Sequence, residues 1–163
     1  MPKIIDAHIH LSERKDDDLN RFAKMNGLGY TLDSLLVDMR ANGVEQGLLL
    51  SPSLHNGGPL PNQEVMRLCR KSQGMLSPVV TVEPTAREAK AAIDFAEANK
   101  KDVKGFKIRL GYVKASADSS VFNGLYDYAE SEDLPVLFHT GDTASDTGDL
   151  TKSHPLTLDA LAN

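Results

Sequence analysis

The sequence has very little cysteine, since Cys69 is the only one among its 163 residues. A single thiol cannot close an intramolecular disulfide, and no cluster of cysteines is present to hold a structural zinc or an iron–sulfur centre. We therefore interpret Cys69 as a small core residue, which is the usual role of an isolated buried thiol.

Long apolar runs and basic blocks are also missing. No run approaches the roughly 18 to 20 apolar residues that a membrane-spanning helix needs, and residues 1–6 lack the apolar stretch of a signal peptide. The net charge is −5, and no basic block suggests a surface for nucleic acid. From these absences we expect a cytoplasmic protein that has neither a membrane nor a nucleic acid as partner.

Several common functional motifs are missing as well. The chain has no G-x-x-x-x-G-K-[ST] loop, no G-x-G-x-x-G after its first predicted strand and no G-x-S-x-G elbow. Its four tyrosines and five phenylalanines are not arranged as a stacking platform for bases. These absences argue against phosphate-loop, dinucleotide-binding and serine-hydrolase chemistry.

Short β-rich runs do alternate with longer stretches of helical period, which indicates repeated βα units on a parallel sheet. The predicted strands are residues 3–8, 44–51, 75–83, 103–110 and 134–139. The chain shows no linker or low-complexity segment, so we treat residues 1–163 as one domain.

Helices are predicted between these strands. The clearest has Leu32, Leu35, Leu36 and Met39 on one face, with Gly43 as its stop. Three more are indicated around residues 65–69, 86–96 and 122–129, the second of them opening with the capping box Thr85-x-x-Glu88. The insert at residues 11–30 carries an acidic run at positions 16–18, which we interpret as a solvated loop in preference to a metal or substrate site.

The strongest chemical signal is His8-x-His10 at the end of the first predicted strand. Side chains two apart on a strand lie on the same face, so both imidazoles can converge on one metal ion. Asp6 shares their face, where it either holds an imidazole in one tautomer or bonds to backbone. His139 ends the fifth predicted strand. Functional groups collect at the carboxyl ends of parallel strands, and neutral imidazoles are common ligands of zinc-like ions.

The fourth predicted strand alternates in an informative way. Phe106, Ile108 and Leu110 form an apolar face, which leaves Lys107 and Arg109 on the opposite face, toward the interior of a barrel or cleft. A buried lysine is costly unless it is paired, neutralised or modified, so Lys107 is a candidate catalytic residue. The alternative is that these side chains extend to solvent at the strand end.

Two further histidines are candidate substrate-binding residues with structural alternatives. His55 follows the second predicted strand and could contact a substrate or simply be exposed on its loop. His154 precedes Pro155 and could line the site or cap the helix that starts there.

Five βα units suit either a complete, doubly wound open sheet or part of an eight-fold barrel. The segment from residue 153 onward begins a helical pattern that stops after one or two turns. We therefore expect a chain that is cut short within a larger fold.

Four segments in order make the chain resemble the amidohydrolase superfamily, and within it the amidohydrolase-related branch of metal-dependent TIM-barrel hydrolases and decarboxylases. These segments are residues 5–10 (IDAHIH), 103–108 (VKGFKI), 134–141 (LPVLFHTG) and 154–156 (HPL). The resemblance implies that His8, His10 and His139 bind a divalent metal, expected to be zinc. It also implies that Lys107 matches the carboxylated lysine that bridges two metals in many members.

The same resemblance implies a (β/α)8 fold of TIM-barrel type with only about the first five βα units present. The family also uses a His after the sixth strand and an Asp after the eighth, and this chain ends before either. We therefore expect an N-terminal portion that is inactive or nearly so by itself.

The expected function of the complete enzyme is metal-dependent hydrolysis of an amide, ester or lactone in a small-molecule substrate, with Arg109 orienting an anionic group. Metal-dependent decarboxylation is the close alternative. A non-catalytic five-stranded binding module is the alternative from another class, and a homo-oligomer stays open.

Overall fold

The computed structural model describes residues 3–14, 17–54, 58–143 and 148–162. The chain divides into two compact units, Met1–Val79 and Val80–Asn163. No helix among the described residues is long and apolar enough to cross a membrane.

The first unit has a three-stranded parallel sheet in the order β1-β2-β3. Its elements are β1 (Ile4–His10), α1 (Asp18–Met25), α2 (Leu32–Ala41), β2 (Val44–Leu50), α3 (Asn62–Lys71) and β3 (Leu76–Pro78). A hydrophobic core lies among these elements and includes Leu36, Leu49, Leu68 and Cys69, the last only 4% exposed. The structure thus places Cys69 in the core.

The second unit has another three-stranded parallel sheet, in the order β4-β5-β6. Its elements are β4 (Val80–Val82), α4 (Ala86–Ala98), β5 (Phe106–Ile108), a 3-10 turn (Ser120–Phe122), α5 (Asn123–Ser131), β6 (Val136–Phe138), α6 (Leu150–Ser153), a second 3-10 turn (Pro155–Leu158) and α7 (Asp159–Ala162). Phe106, Ile108, Phe122 and Leu125 are fully buried.

The ends of the helices follow local chemistry. Thr31 and Ser34 form a reciprocal capping box at the start of α2, and Gly43 adopts a positive φ of 69° just after its end. At α4, Thr85 Oγ1 accepts a hydrogen bond from Glu88 N at 3.1 Å, which is one half of the predicted capping box. The carboxylate of Glu88 instead lies 3.8 Å from Arg87 Nε.

The strands differ from their predicted extents. The third predicted strand, residues 75–83, forms two short strands separated by Val79, because Pro78 lacks an N–H and β3 pairs with β2 whereas β4 pairs with β5. The fourth is confined to residues 106–108, since Gly105 before it has a φ of 152°. The fifth covers residues 136–138.

The insert after β1 contains a helix, α1, where the sequence suggested a solvated loop. Asp17 is 1% exposed and caps α1, its Oδ1 accepting from Leu19 N at 2.9 Å. Its Oδ2 accepts from Ser12 Oγ at 2.5 Å and from Tyr30 Oη at 3.0 Å. The solvated-loop interpretation is therefore wrong for Asp17, whereas Asp18 is exposed and Asp16 lies outside the described residues.

Candidate metal and substrate site

His8 and His10 lie at the carboxyl end of β1. His10 is in register with Leu50 of β2, and its Nδ1 lies 3.1 Å from the Leu50 carbonyl oxygen. The two Nε2 atoms of His8 and His10 are 3.0 Å apart, and their rings meet edge to face. The strand therefore brings both imidazoles together, as the two-residue spacing predicts.

The protonation of His10 follows from its partner. A carbonyl oxygen can only accept, so Nδ1 of His10 carries the proton and Nε2 carries the lone pair. In a tetrahedral zinc site, ligand nitrogens lie about 3.3 Å apart, because each is about 2.0 to 2.1 Å from the ion. The observed 3.0 Å is slightly shorter than this spacing, and at this distance His8 Nε2 can donate a hydrogen bond to His10 Nε2. The feature that fits a divalent ion is the orientation of His10, whose Nε2 lone pair faces the second imidazole.

Asp6 takes the backbone alternative. Its Oδ1 accepts a hydrogen bond from the backbone N–H of His8 at 3.0 Å. The described residues contain no group of three or more His, Cys, Asp or Glu side chains that could hold a metal ion. The ligand set of His8, His10 and His139 therefore remains a prediction from the sequence.

In the second unit, polar residues follow directly after all three strands. Val82 is in register with Ile108, and Ile108 with Phe138. The next residues along the chain are Glu83, Arg109 and His139, which thus lie together at the carboxyl edge of the sheet. Arg109 and His139 are candidate residues from the sequence, whereas Glu83 is not among them, although it is the last residue of the predicted third strand.

Lys107 lies within β5, between Thr81 of β4 and Leu137 of β6 in the register. It is only 6% exposed, which argues against extension of its side chain to solvent. Within the described part of the chain, no hydrogen bond or ion pair of its ammonium group is found. Burial lowers the pKa of Lys107 below its ordinary value, because the charged form loses its hydration.

Arg109 is also 6% exposed, and its charge is paired. One terminal guanidinium nitrogen donates to Glu83 Oε1 at 3.0 Å. The guanidinium carbon lies 5.7 Å from the ring centre of Tyr112, within the range of a cation–π contact. The face of the sheet opposite Phe106 thus holds two buried cationic residues, and among the described residues an ion pair is found for Arg109 but not for Lys107.

His139 is held from two sides. Its Nε2 lies 2.9 Å from the Asp142 carbonyl oxygen, so Nε2 carries the proton and Nδ1 carries the lone pair. Its ring meets that of Tyr112 edge to face, with centres 4.9 Å apart. The sequence pattern does not predict the role of Tyr112, because its placement depends on the turn at Gly111, which has a φ of 81°.

The two remaining histidines, His55 and His154, are candidate substrate-binding residues. His154 is exposed, and its Nδ1 accepts from Leu156 N at 3.2 Å, which caps the 3-10 turn. Its role in substrate binding stays a prediction. His55 lies outside the described residues.

The alternating βα order and the parallel strands define an α/β protein, and the similarity to a solved TIM-barrel structure shows that the fold is of TIM-barrel type. A family model described as amidohydrolase matches residues 5–163, and the chain belongs to this family. No curated protein gives a significant match to the chain.

Solved structures with this fold include three informative neighbours. An uncharacterized TIM-barrel protein of Bordetella bronchiseptica is 22% identical with a TM-score of 0.73, over 98% of this chain and 62% of that one. A probable 2-pyrone-4,6-dicarboxylic acid hydrolase of Acinetobacter baumannii, with citric acid bound, is 17% identical with a TM-score of 0.60, over 85% and 50%.

The third neighbour is 5-carboxyvanillate decarboxylase of Novosphingobium aromaticivorans, in complex with manganese and a nitrobenzoic acid. It is 14% identical with a TM-score of 0.59, over 99% of this chain and 55% of that one. The chain therefore spans about half to three-fifths of these barrels, in agreement with about five of the eight βα units. The family contains both hydrolases and decarboxylases, and its members bind divalent metals.

Proposed function

We propose that this chain carries part of the active site of a metal-dependent hydrolase that cleaves an amide, ester or lactone bond. The observation that carries the proposal is the convergence of His8 and His10, whose Nε2 atoms are 3.0 Å apart. His139 is the proposed third ligand, through Nδ1. The proposed ion is zinc, which when bound would polarise a carbonyl and lower the pKa of a bound water toward about 7.

The hydrogen bonds of the chain support these ligand roles. The Leu50 carbonyl holds His10 with its proton on Nδ1, and the Asp142 carbonyl holds His139 with its proton on Nε2. Each bond leaves the lone pair on the other ring nitrogen. Imidazoles fixed in one tautomer need no rearrangement to accept a metal, and backbone carbonyls commonly fix such ligands.

Arg109 is the proposed residue that orients an anionic group of the substrate. Its guanidinium has donors beyond the one that contacts Glu83, and a planar guanidinium suits a carboxylate. Lys107 is the proposed counterpart of the family's carboxylated lysine. A lysine with a lowered pKa has more of the neutral amine, which can add carbon dioxide and release a proton to give a carbamate.

The test measures metal binding by the chain. We expect wild-type protein loaded with zinc and then desalted to keep the ion, and the double variant His8→Ala, His10→Ala to bind zinc more than about 100-fold more weakly, because two ligands are lost. His154→Ala is the matched control and should bind zinc like wild type, since His154 caps a turn and is not among the proposed metal ligands. Zinc affinity that is unchanged in the double variant, or absent in wild type, would contradict the proposal.

Decarboxylation is the second candidate, favoured by the likeness to the decarboxylase with bound manganese and by the buried, paired cation Arg109. A cation at this position suits a substrate carboxylate in either reaction. A reaction in water labelled with oxygen-18 distinguishes the two candidates. Hydrolysis would place the labelled oxygen in the product, whereas decarboxylation would release carbon dioxide.

A further inference from the structure

Tyr112 contacts two of the proposed functional residues at once. The guanidinium of Arg109 lies 5.7 Å from the centre of its ring, and the imidazole of His139 meets it edge to face at 4.9 Å. Arg109 directly follows β5 and His139 directly follows β6, and the last residues of these two neighbouring strands are paired in register. The ring of Tyr112 therefore spans the carboxyl ends of β5 and β6.

The backbone places this ring by a tight turn. The N–H groups of Tyr112 and Val113 both donate to the carbonyl of Arg109, at 3.1 and 3.2 Å. Gly111, in the middle of this turn, has a φ of 81°, a backbone conformation that residues other than glycine rarely adopt. A Cβ at Gly111 would also lie 2.8 Å from Ser153 Oγ and 2.9 Å from Thr143 Cγ2. The turn therefore folds Tyr112 back toward Arg109.

The contacts of Tyr112 with Arg109 and with His139 both use its ring. A cation prefers the electron-rich face of an aromatic ring, and an edge-to-face pair depends on the same charge distribution. Glu83 fixes the other side of Arg109 at 3.0 Å, so the guanidinium has a defined position. The Asp142 carbonyl fixes one nitrogen of His139, and the ring of Tyr112 restricts the plane of the imidazole.

We propose that Tyr112 is a positioning residue that supports the anion-binding Arg109 and the metal ligand His139 through one aromatic ring. This inference rests on the proposed function for the roles of those two residues. The positioning itself depends only on the contacts of Tyr112. An aromatic replacement should therefore preserve it, and a non-aromatic one should not.

The first experiment reads the tautomer of His139 in metal-free protein, by long-range proton–nitrogen NMR above about pH 8, where imidazoles are mostly neutral. Wild type and Tyr112→Phe should show the proton on Nε2. Tyr112→Leu should show a mixture of both tautomers, because the imidazole plane is no longer restricted. Tyr112→Gln is a second non-aromatic variant in case Tyr112→Leu fails to fold.

The second experiment measures zinc affinity by competition with a chelator. Tyr112→Leu should bind about threefold to tenfold more weakly, the size expected for loss of one aromatic contact, and Tyr112→Phe should match wild type. Tyr128→Leu is the matched control, since Tyr128 packs against Phe106 in the same unit. It should leave both readouts unchanged.

Retention of a single tautomer and of wild-type zinc affinity in the non-aromatic variants would overturn the positioning role, as would a Tyr112→Phe variant that behaves like Tyr112→Leu. If wild type binds no zinc, the proposed function fails. The tautomer measurement on metal-free protein then still decides the role of Tyr112.

Discussion

Lys107 shows how the alternation of side chains along β5 places a charged residue on one face of the strand and apolar residues on the other. Its neighbours Phe106 and Ile108 are fully buried apolar side chains, and Phe106 packs edge to face against Tyr128 of α5. Lys107 lies on the opposite face of β5 and is also buried, with only 6% of its surface exposed. An amine in this position is destabilised in its charged form, which gives the folded protein a specific dependence on pH.

We expect the stability of the wild type to rise with pH between the lowered pKa of Lys107 in the folded state and its ordinary value of about 10.4. In that window the unfolded chain binds more protons than the folded chain, so raising the pH favours the fold. Lys107→Met removes this contribution. Urea unfolding at several pH values between about 7 and 10 measures it.

The exposed Lys104 provides the control for this experiment. Lys104→Met should keep the pH dependence of the wild type, whereas Lys107→Met should show a flatter profile. Identical profiles for wild type and Lys107→Met would show that burial does not perturb this amine.

The sequence predicts single residues well where strand parity alone decides their place. His8 and His10 share a face because they are two apart, and Lys107 and Arg109 are separated from the apolar face for the same reason. Glu83 could not be predicted as the partner of Arg109, because that contact depends on which strands are neighbours. Tyr112 could not be predicted either, since it requires the left-handed turn at Gly111.

At the scale of elements, the insert after β1 shows that a run of like charges does not determine which of its residues are buried. Positions 16–18 are all aspartate, yet Asp17 is buried and Asp18 is exposed. The difference arises because Ser12 and Tyr30, from either side of α1 in sequence, both donate to Asp17. Such a contact between separate segments has no signature in composition.

We expect Asp17→Ala to lower the free energy of unfolding by about 1 to 3 kcal/mol, because the buried Ser12 and the half-buried Tyr30 lose the acceptor of their hydroxyl groups and α1 loses its cap. Denaturant unfolding measures the loss. The adjacent change Asp18→Ala is the control and should cost less than about 1 kcal/mol, the usual size of a helix-dipole contribution. Equal losses in both variants would contradict the role assigned to the buried network.

Strand lengths are the other property of elements that the sequence predicts only in part. Residues 103–110 alternate over their whole length, but pairing is limited to residues 106–108. Gly105 approaches the chain of Pro135, where a Cβ would lie 2.7 Å from the Pro135 carbonyl oxygen. The position of the strand could be predicted, and its ends could not, because they depend on this close contact.

At the scale of the molecule, the sheet of the first unit has β1 as an edge strand with exposed apolar side chains. Within the described residues β1 pairs with β2 alone, and Ile4 and Ile5 of β1 are 47% and 58% exposed. An edge strand with exposed apolar side chains is a template for pairing with another chain. This edge is therefore the expected site of self-association at high concentration.

We expect Ile5→Lys to slow aggregation severalfold, because a charge on an edge strand opposes pairing with a second edge. The free energy of unfolding should change by no more than about 0.5 kcal/mol, since Ile5 is largely exposed. Light scattering at increasing protein concentration measures the effect. Val37→Lys makes the same kind of change on an exposed face of α2, and aggregation slowed equally by both variants would argue against the edge.

The short helix α6 and the residues before it join the loops that follow β5 and β6. Asp149 N donates to the Gly111 carbonyl at 3.0 Å, Gly141 N donates to the Ser153 carbonyl at 2.8 Å, and Ser153 Oγ donates to the Gly141 carbonyl at 2.6 Å. The ribosome makes the chain from its amino terminus, so β5 and β6 emerge before these partners exist. The turn that carries Tyr112 and the loop after His139 therefore reach their final hydrogen bonding only after residue 153 has been synthesised.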